Sequence, residues 1–324
     1  MHSIAQPWVW GVFLMFVLGM LALDVFACGG GKAQKMSVRQ AASWSIGWLL
    51  LALLFALGLW QVLIPVAGAE VAYSTAMEFV AGYLIEKSLS IDNIFIFLLI
   101  FNHFSVPAQY QRRVLLYGVL GAIVMRFAMI VAGVWVVDTF SWVLYVFGVF
   151  LVFTGLKMMW PEQQSPDLSA NPVVRLAKKM LPFCDGFREE KFSVIENGKR
   201  VYTSLLLVLI LVEISDVVFA LDSIPAIFAI TTDPFIVFTS NIFAIMGLRA
   251  LYFLLADMAE RFHFLKYGLA LVLIFVGGKM LVADWWHVPT VASLLIIATI
   301  VAGSVLISLL VTKDKLSKSR PGSD

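Results

Sequence analysis

Cysteine and histidine are scarce in this chain of 324 residues. Cys28 and Cys184 are the only cysteines, and His2, His103, His263 and His287 the only histidines. They form no CxxC pair and no Cys/His cluster, which excludes the common zinc sites and a dithiol redox centre; both thiols read as unpaired, on the reducing side. Charge is scarce as well: 14% of residues are Asp, Glu, Lys or Arg, against about 25% in soluble domains. No Gly-rich phosphate loop, nucleophile elbow or zinc-protease motif occurs, so neither an enzyme activity nor a resident cofactor is expected. A net charge of +2 gives no ground for nucleic-acid binding. No Lys or Arg precedes the first apolar run, Trp8 to Ala27, and Asp24 lies inside it. Despite its "VFAC" ending, that run reads as an uncleaved spanning helix, because a signal peptide has a positive leading region.

What is abundant is apolar surface: 61% hydrophobic residues and a mean hydropathy of +0.93. It comes in blocks, more than a soluble surface could hide from water. The expected class is an all-α polytopic membrane protein with the lipid bilayer as its solvent. Runs able to cross about 30 Å of hydrocarbon lie near 8–27, 43–65, 76–101, 114–136, 141–160, 203–230, 235–256, 266–283 and 288–311. That makes nine spans.

The basic residues support this count. Lys32, Lys35 and Arg39 lie between spans one and two, and Arg112 and Arg113 between three and four. Segment 161–202 carries seven more, Arg261 and Lys266 lie between seven and eight, and the tail carries Lys313, Lys315, Lys318 and Arg320. Every second loop is therefore positive. By the positive-inside rule the N-terminus is outside and the C-terminus cytoplasmic. The basic residues left over are Lys87, Arg126, Lys157, Arg249 and Lys279, all inside spans.

Segment 161–202 is the one sizeable water-exposed piece. "FSVIENGKRVYT" alternates around Asn197-Gly198, a strong hairpin signal. A cytoplasmic linker with a β-hairpin is expected there.

An internal repeat organises the rest. "EKSLSIDNI" (Glu86 to Ile94) aligns with "DVVFALDSI" (Asp216 to Ile224). "GAIVMR", ending at Arg126, matches "AIMGLR", ending at Arg249, and "FTGLKM" around Lys157 matches "FVGGKM" around Lys279. The Arg-to-Lys separations are 31 and 30 residues. The implied units are 1–75 (two peripheral spans), 76–160 (repeat one, spans three to five), 161–202 (linker), 203–283 (repeat two, spans six to eight) and 284–324 (ninth span and basic tail). Three spans is an odd number, so the two repeats run in opposite senses. Inverted repeats of this kind build many secondary transporters, with the site near the midplane.

Glu86, Asp92, Glu213, Asp216 and Asp222 lie deep in these spans. An ionisable group at mid-bilayer costs about 2.5–3.5 kcal/mol on insertion scales, so compensation is required. Residues six apart on a helix differ by about 120° in direction and about 9 Å in height, so neither Glu86 with Asp92 nor Asp216 with Asp222 shares one ligand on a straight helix. Convergence needs pairing across the pseudo-twofold, with Asp92 meeting Asp222, or a helix break. Pro225 favours a break in span six. Asn93, Ser88, Ser90 and Ser223 add oxygens. Such an all-oxygen set suits Mg²⁺, Ca²⁺ or Mn²⁺ and suits Zn²⁺ or Cu⁺ poorly; clustered acids can also carry protons. The alternative is plain charge pairing with the buried bases. Arg126, Arg249 and Lys87 are the expected charge-pairing or coupling residues, while Lys157 and Lys279 sit near span ends and can snorkel.

"EKSLSIDN", "EISDVVFALDSIPAIFA" (Glu213 to Ala229) and "TSNIFAIMGLRALYF" (Thr239 to Phe253) resemble the paired signature blocks of the TerC family of integral membrane proteins. The layout, including "YLIEKSLSIDN" and "TTDPFIVFTSN", is most similar to its manganese-exporting branch. The resemblance implies a bacterial inner-membrane exporter of Mn²⁺, with Glu86, Asp92, Asn93, Glu213, Asp216, Asp222 and Ser223 as metal-site residues. The family takes its name from tellurite resistance, and a redox-modulator role has been attached to this branch. The residues offer that role no haem ligand pair, dithiol or nucleotide fold. Phe95, Phe219 and Phe228 beside the acids keep open a small organic cation or amino acid as the substrate, since aromatic faces hold cations.

Overall fold

A computed structural model describes residues 4–27, 38–140, 142–160, 172–184, 186–196, 198–256, 265–286 and 288–318. Among these the chain is almost entirely helical. In order come α1 (Pro7–Ala27), α2 (Val38–Ala67), α3 (Ala69–His103), α4 (Ala108–Thr139), α5 (Val143–Met159) and α6 (Pro172–Met180). A hairpin follows, β1 (Ser193–Glu196) and β2 (Lys199–Tyr202), then α7 (Ser204–Phe228), α8 (Pro234–Met246), α9 (Leu248–Ala256), α10 (Leu265–Val282) and α11 (Thr290–Lys318).

Five helical stretches are long and apolar enough to cross a membrane by length and composition: Arg39–Ala67, Ala108–Thr139, Ser204–Phe228, Pro234–Leu255 and Thr290–Ser308. Pro7–Leu23 and Val143–Met159 are shorter apolar helices. At 35 residues α3 is longer than any of these, but it carries Glu70, Glu78, Glu86, Lys87 and Asp92. The protein is thus an all-α membrane protein. Its outward faces are lined with residues that need lipid: Met15, Leu54, Val124, Phe153 and Leu310 are all exposed.

α3, α7 and α8 form the centre. α3 packs on α7 and α8, and α7 packs in turn on α4. α2 covers α3, α11 covers α3 and α10, and α5 lies along α10. In lipid no hydrophobic force drives such contacts, so close backbone approach has to do so. The α5–α10 seam achieves this with glycine. A Cβ at Gly277 would stand 2.6 Å from the Gly148 carbonyl oxygen, and one at Gly155 2.7 Å from that of Ala270.

Helix starts follow local chemistry. Asp233 caps α8, accepting from the amides of Phe235 (2.8 Å) and Ile236 (3.2 Å), with Pro234 at the first helical position. Its second oxygen takes the Ile4 amide at 2.6 Å. Thr203 caps α7 through the Leu205 amide at 3.2 Å and donates its hydroxyl to Lys191 O at 2.7 Å, tying the hairpin to the bundle. The strands pair antiparallel, Val194 with Val201 and Glu196 with Lys199, around Gly198 at φ +73°.

One feature differs from expectation. α7 does not break at Pro225; it runs on to Phe228. Pro225 sits in the last turn, where the one lost hydrogen bond interrupts little. Span seven is the single stretch Pro234–Leu255, with one turn residue, Gly247 (φ −82°, ψ −3°), between α8 and α9. There the Lys87 ammonium and the Trp48 ring press so close that a Cβ would lie 2.5 Å from Lys87 Nζ and 3.3 Å from Trp48 Cβ.

Candidate cation site

Charges gather where α3, α4, α7 and α8 meet. Arg126 of α4, only 1% exposed, is the hub. Its Nε donates to Asp216 Oδ2 at 3.1 Å and its Nη2 to Asp216 Oδ1 at 3.0 Å, a bidentate fork. Its Nη1 donates to Asn241 Oδ1 at 2.8 Å and also to Glu86 Oε1. Asn241 in turn donates Nδ2 to Glu86 Oε2 at 3.2 Å, and Asn93 donates Nδ2 to Asp216 Oδ1 at 3.3 Å. Glu86, Asn93, Asp216 and Asn241 are all buried. Two carboxylates thus face one guanidinium in a dry interior, where a charge persists only if it is paired and hydrogen-bonded.

Two buried oxygens on α3 and α7 have no partner among the described residues. Asn93 Oδ1 and Ser223 Oγ are buried and make no hydrogen bond among the described residues. An unpartnered buried acceptor costs about 1–3 kcal/mol. Asn93 stands seven residues after Glu86, and Ser223 seven after Asp216, so the two orphans occupy matching places on α3 and α7.

Glu86, Asp216 and Asn93 come together. Asp222 is half-buried and accepts from Thr154 Oγ1 of α5 at 3.4 Å. The side chain of Asp92, and with it the expected meeting of Asp92 with Asp222, lies outside the described residues. Six residues earlier in each repeat, Glu86 of α3 and Asp216 of α7 are joined through Arg126. Glu213 lies over Gly121 of α4, where any Cβ would overlap its carboxylate. Ser88 and Ser90 contribute nothing to the cluster, since their hydroxyls donate to Leu84 O and Glu86 O of their own helix at 2.6 and 2.7 Å. Lys87 donates to Ala244 O at 3.3 Å, beside the end of α8. A cation is favourable there, against the exposed last carbonyls of a helix.

Arg249 is buried and lines a small cavity with Asp216, Phe97, Leu115 and Val212. Its enclosed volume of about 10 Å³ is near the lower limit for one water. Phe97, Leu115 and Val212 lie nearer than Glu86, Arg126 and Asp216 to the helix ends at His103, Ala108 and Ser204, so the cavity is on the side of the basic loops. Phe55, Phe79 and Phe243 pack into one buried aromatic cluster, with ring centroids 4.9–5.7 Å apart.

Asn241 and Thr154 are site residues that the sequence reading missed. The only sequence signal for Asn241 is its amide at the centre of α8, beside Thr239 and Ser240. Among the described residues no three His, Cys, Asp or Glu side chains converge on a metal position. With the arginine seated, what converges is two carboxylates and two amides.

These features define a multi-pass integral membrane protein with a charged centre. Residues 71–316 match the model of the integral membrane protein TerC family, and the chain belongs to that family. Within it the chain is of the Alx type. It is 52% identical over 320 residues to a candidate membrane-bound redox modulator Alx of Photorhabdus laumondii, covering 99% of this chain and 100% of that one. The Alx of Escherichia coli K12 is 51% identical over 308 residues, 95% and 96% of the two chains. A membrane protein of Myxococcus xanthus with no assigned activity is 45% identical over 322 residues, 99% and 97% of the two chains. No solved structure matches the chain.

Proposed function

We propose that this protein is a secondary transporter, not an enzyme, that exports a divalent metal cation, Mn²⁺ above others, from the cytoplasm of a bacterium. It would sit in the inner membrane with nine spans, N-terminus outside and C-terminus inside. The observation that carries the reading is the buried pairing of Glu86 with Asp216 across α3 and α7. Helices three and six of an inverted-repeat transporter would meet in this way at the midplane.

The packing supports two inverted units. α3 rests on α8 as α7 rests on α4. At the α5–α10 seam Gly148 meets Gly277 and Gly155 meets Ala270, and the sequence shift from Gly148 to Ala270 equals that from Gly155 to Gly277. One contact is therefore the image of the other under exchange of the repeats.

The oxygen donors of Glu86, Asp216, Asn93, Asn241 and Ser223 suit a hard divalent ion. Manganese and the outward direction rest on the family resemblance. Asp92, Glu213 and Asp222 serve as further ligands or proton carriers along the path. Proton coupling is part of the proposal, because exporting a divalent ion works against about 4.6 kcal/mol per 100 mV of membrane potential.

The test is manganese content in cells lacking other exporters. Glu86→Gln or Asp216→Asn should accumulate the metal as an empty vector does. Normal efflux through both variants would falsify the site. The redox-modulator name of the relatives supports a second reading. It predicts that manganese content is unchanged by these substitutions while the thiol redox state of the cell shifts.

A further inference from the structure

We infer that Arg126 is a tethered stand-in for the transported cation: its guanidinium occupies the divalent-ion seat between Glu86 and Asp216 and has to leave before a metal can enter. The inference rests on the proposed transport function and deepens it.

The geometry is that of a filled cation site. The guanidinium touches both carboxylates and Asn241 Oδ1, and it is sealed from solvent. It takes up Asp216 Oδ1, Asp216 Oδ2 and Glu86 Oε1, the carboxylate oxygens a metal there would use. The fit is nonetheless incomplete. Asn93 is bonded to Asp216 through its amide nitrogen, yet its buried Oδ1 faces no donor. A planar fork satisfies acceptors in its plane; a spherical ion recruits ligands from all directions. The surplus buried acceptor is what a site shaped for a larger coordination number leaves over when a guanidinium fills it.

Charge points the same way. With the arginine in place, two carboxylates carry one positive charge. A divalent ion added beside it would meet a like charge within the same hydrogen-bonded cluster. The same ion replacing it would meet two full negative charges. Competition, not co-occupancy, is the favourable arrangement. Arg126 then keeps the carboxylates paired whenever no metal is bound, which avoids both unpaired buried acids and an empty polar hole during the return step.

The experiment is Mn²⁺ titration calorimetry on the purified full-length protein in detergent, with size-exclusion elution as the folding check. Arg126→Gln should bind Mn²⁺ at least tenfold more tightly than the parent, while export in cells falls. Arg126→Lys keeps the charge but loses the bidentate fork, and should lie between them. In Arg126→Ala, low-millimolar guanidinium ion should compete with Mn²⁺, and in the parent it should not. Parental binding that depends on Glu86 and Asp216, but is unchanged or weakened in every Arg126 variant, overturns this inference and leaves the transport site standing. Parental binding indifferent to Glu86→Gln and Asp216→Asn overturns both. If no Arg126 variant binds Mn²⁺ at all, the inference fails, and cellular efflux alone decides the transport reading.

Discussion

Two helix pairs in this protein, one central and one beside the centre, are held by opposite means. α5 and α10 meet through Gly148, Gly155 and Gly277, with backbone almost on backbone. α3 and α7 meet through Glu86, Asn93 and Asp216, with the Arg126 guanidinium between them. The first seam contains nothing that can be exchanged. The second is made of groups that persist in a membrane only with partners, and one of those partners is a side chain that can swing. In the proposed transporter the first pair would serve as a fixed hinge and the second as a seat whose occupant can change.

The charged seam should be the more sensitive. Asp216→Asn or Glu86→Gln leaves Arg126 short of a buried counter-charge, at about 3–5 kcal/mol. Thermal unfolding in detergent should show that loss together with abolished manganese efflux. Next comes the glycine seam. Gly277→Val forces side-chain atoms onto the Gly148 carbonyl, and overpacking of this kind costs about 1–3 kcal/mol. Its signature is lower stability and lower yield, with manganese binding per folded molecule unchanged. Loss of binding in that variant would mean that the seams are not separable.

Gly247→Ala sharpens the comparison from a third side. The added methyl displaces Lys87 from the end of α8 at a cost of about 1–2 kcal/mol. It should slow efflux more than it weakens binding, because Lys87 is held by α8, the helix that carries Asn241, and not by the carboxylates. The smallest structural effect belongs to Asp222→Asn. The half-buried Asp222 holds one long bond to Thr154, so stability should change by less than about 1 kcal/mol. Efflux should nevertheless fall if Asp222 lies on the ion path, which transport assays at matched expression would read.

Much of this centre was visible in the sequence. Glu86, Asp216 and Arg126 stand out because an ionisable group in an apolar run must have a partner, and the repeat placed the first two on facing helices. The axial register was not visible. That Asn93 of α3 reaches Asp216 of α7 depends on how side-chain ridges seat along the two helices, and that is set by packing, not by pattern. Asn241 was hidden for a different reason. One amide in "FTSNIFAIM" perturbs the apolar run too little to be singled out, yet it links Arg126 to Glu86. Pro225 gave a misleading signal, because its position in the final turn of α7 spares the helix. Gly247 gave none, since its importance comes from Lys87 and Trp48, far away in the sequence.

The account depends most on what lies between Glu86 and Asp216 when metal is present. A crystal of the full-length protein grown with Mn²⁺, measured at the manganese absorption edge, tests it directly. The predicted result is an anomalous peak within coordination distance of both carboxylates, with the Arg126 guanidinium withdrawn from them. A manganese peak elsewhere, with Arg126 still forked onto Asp216, would contradict it.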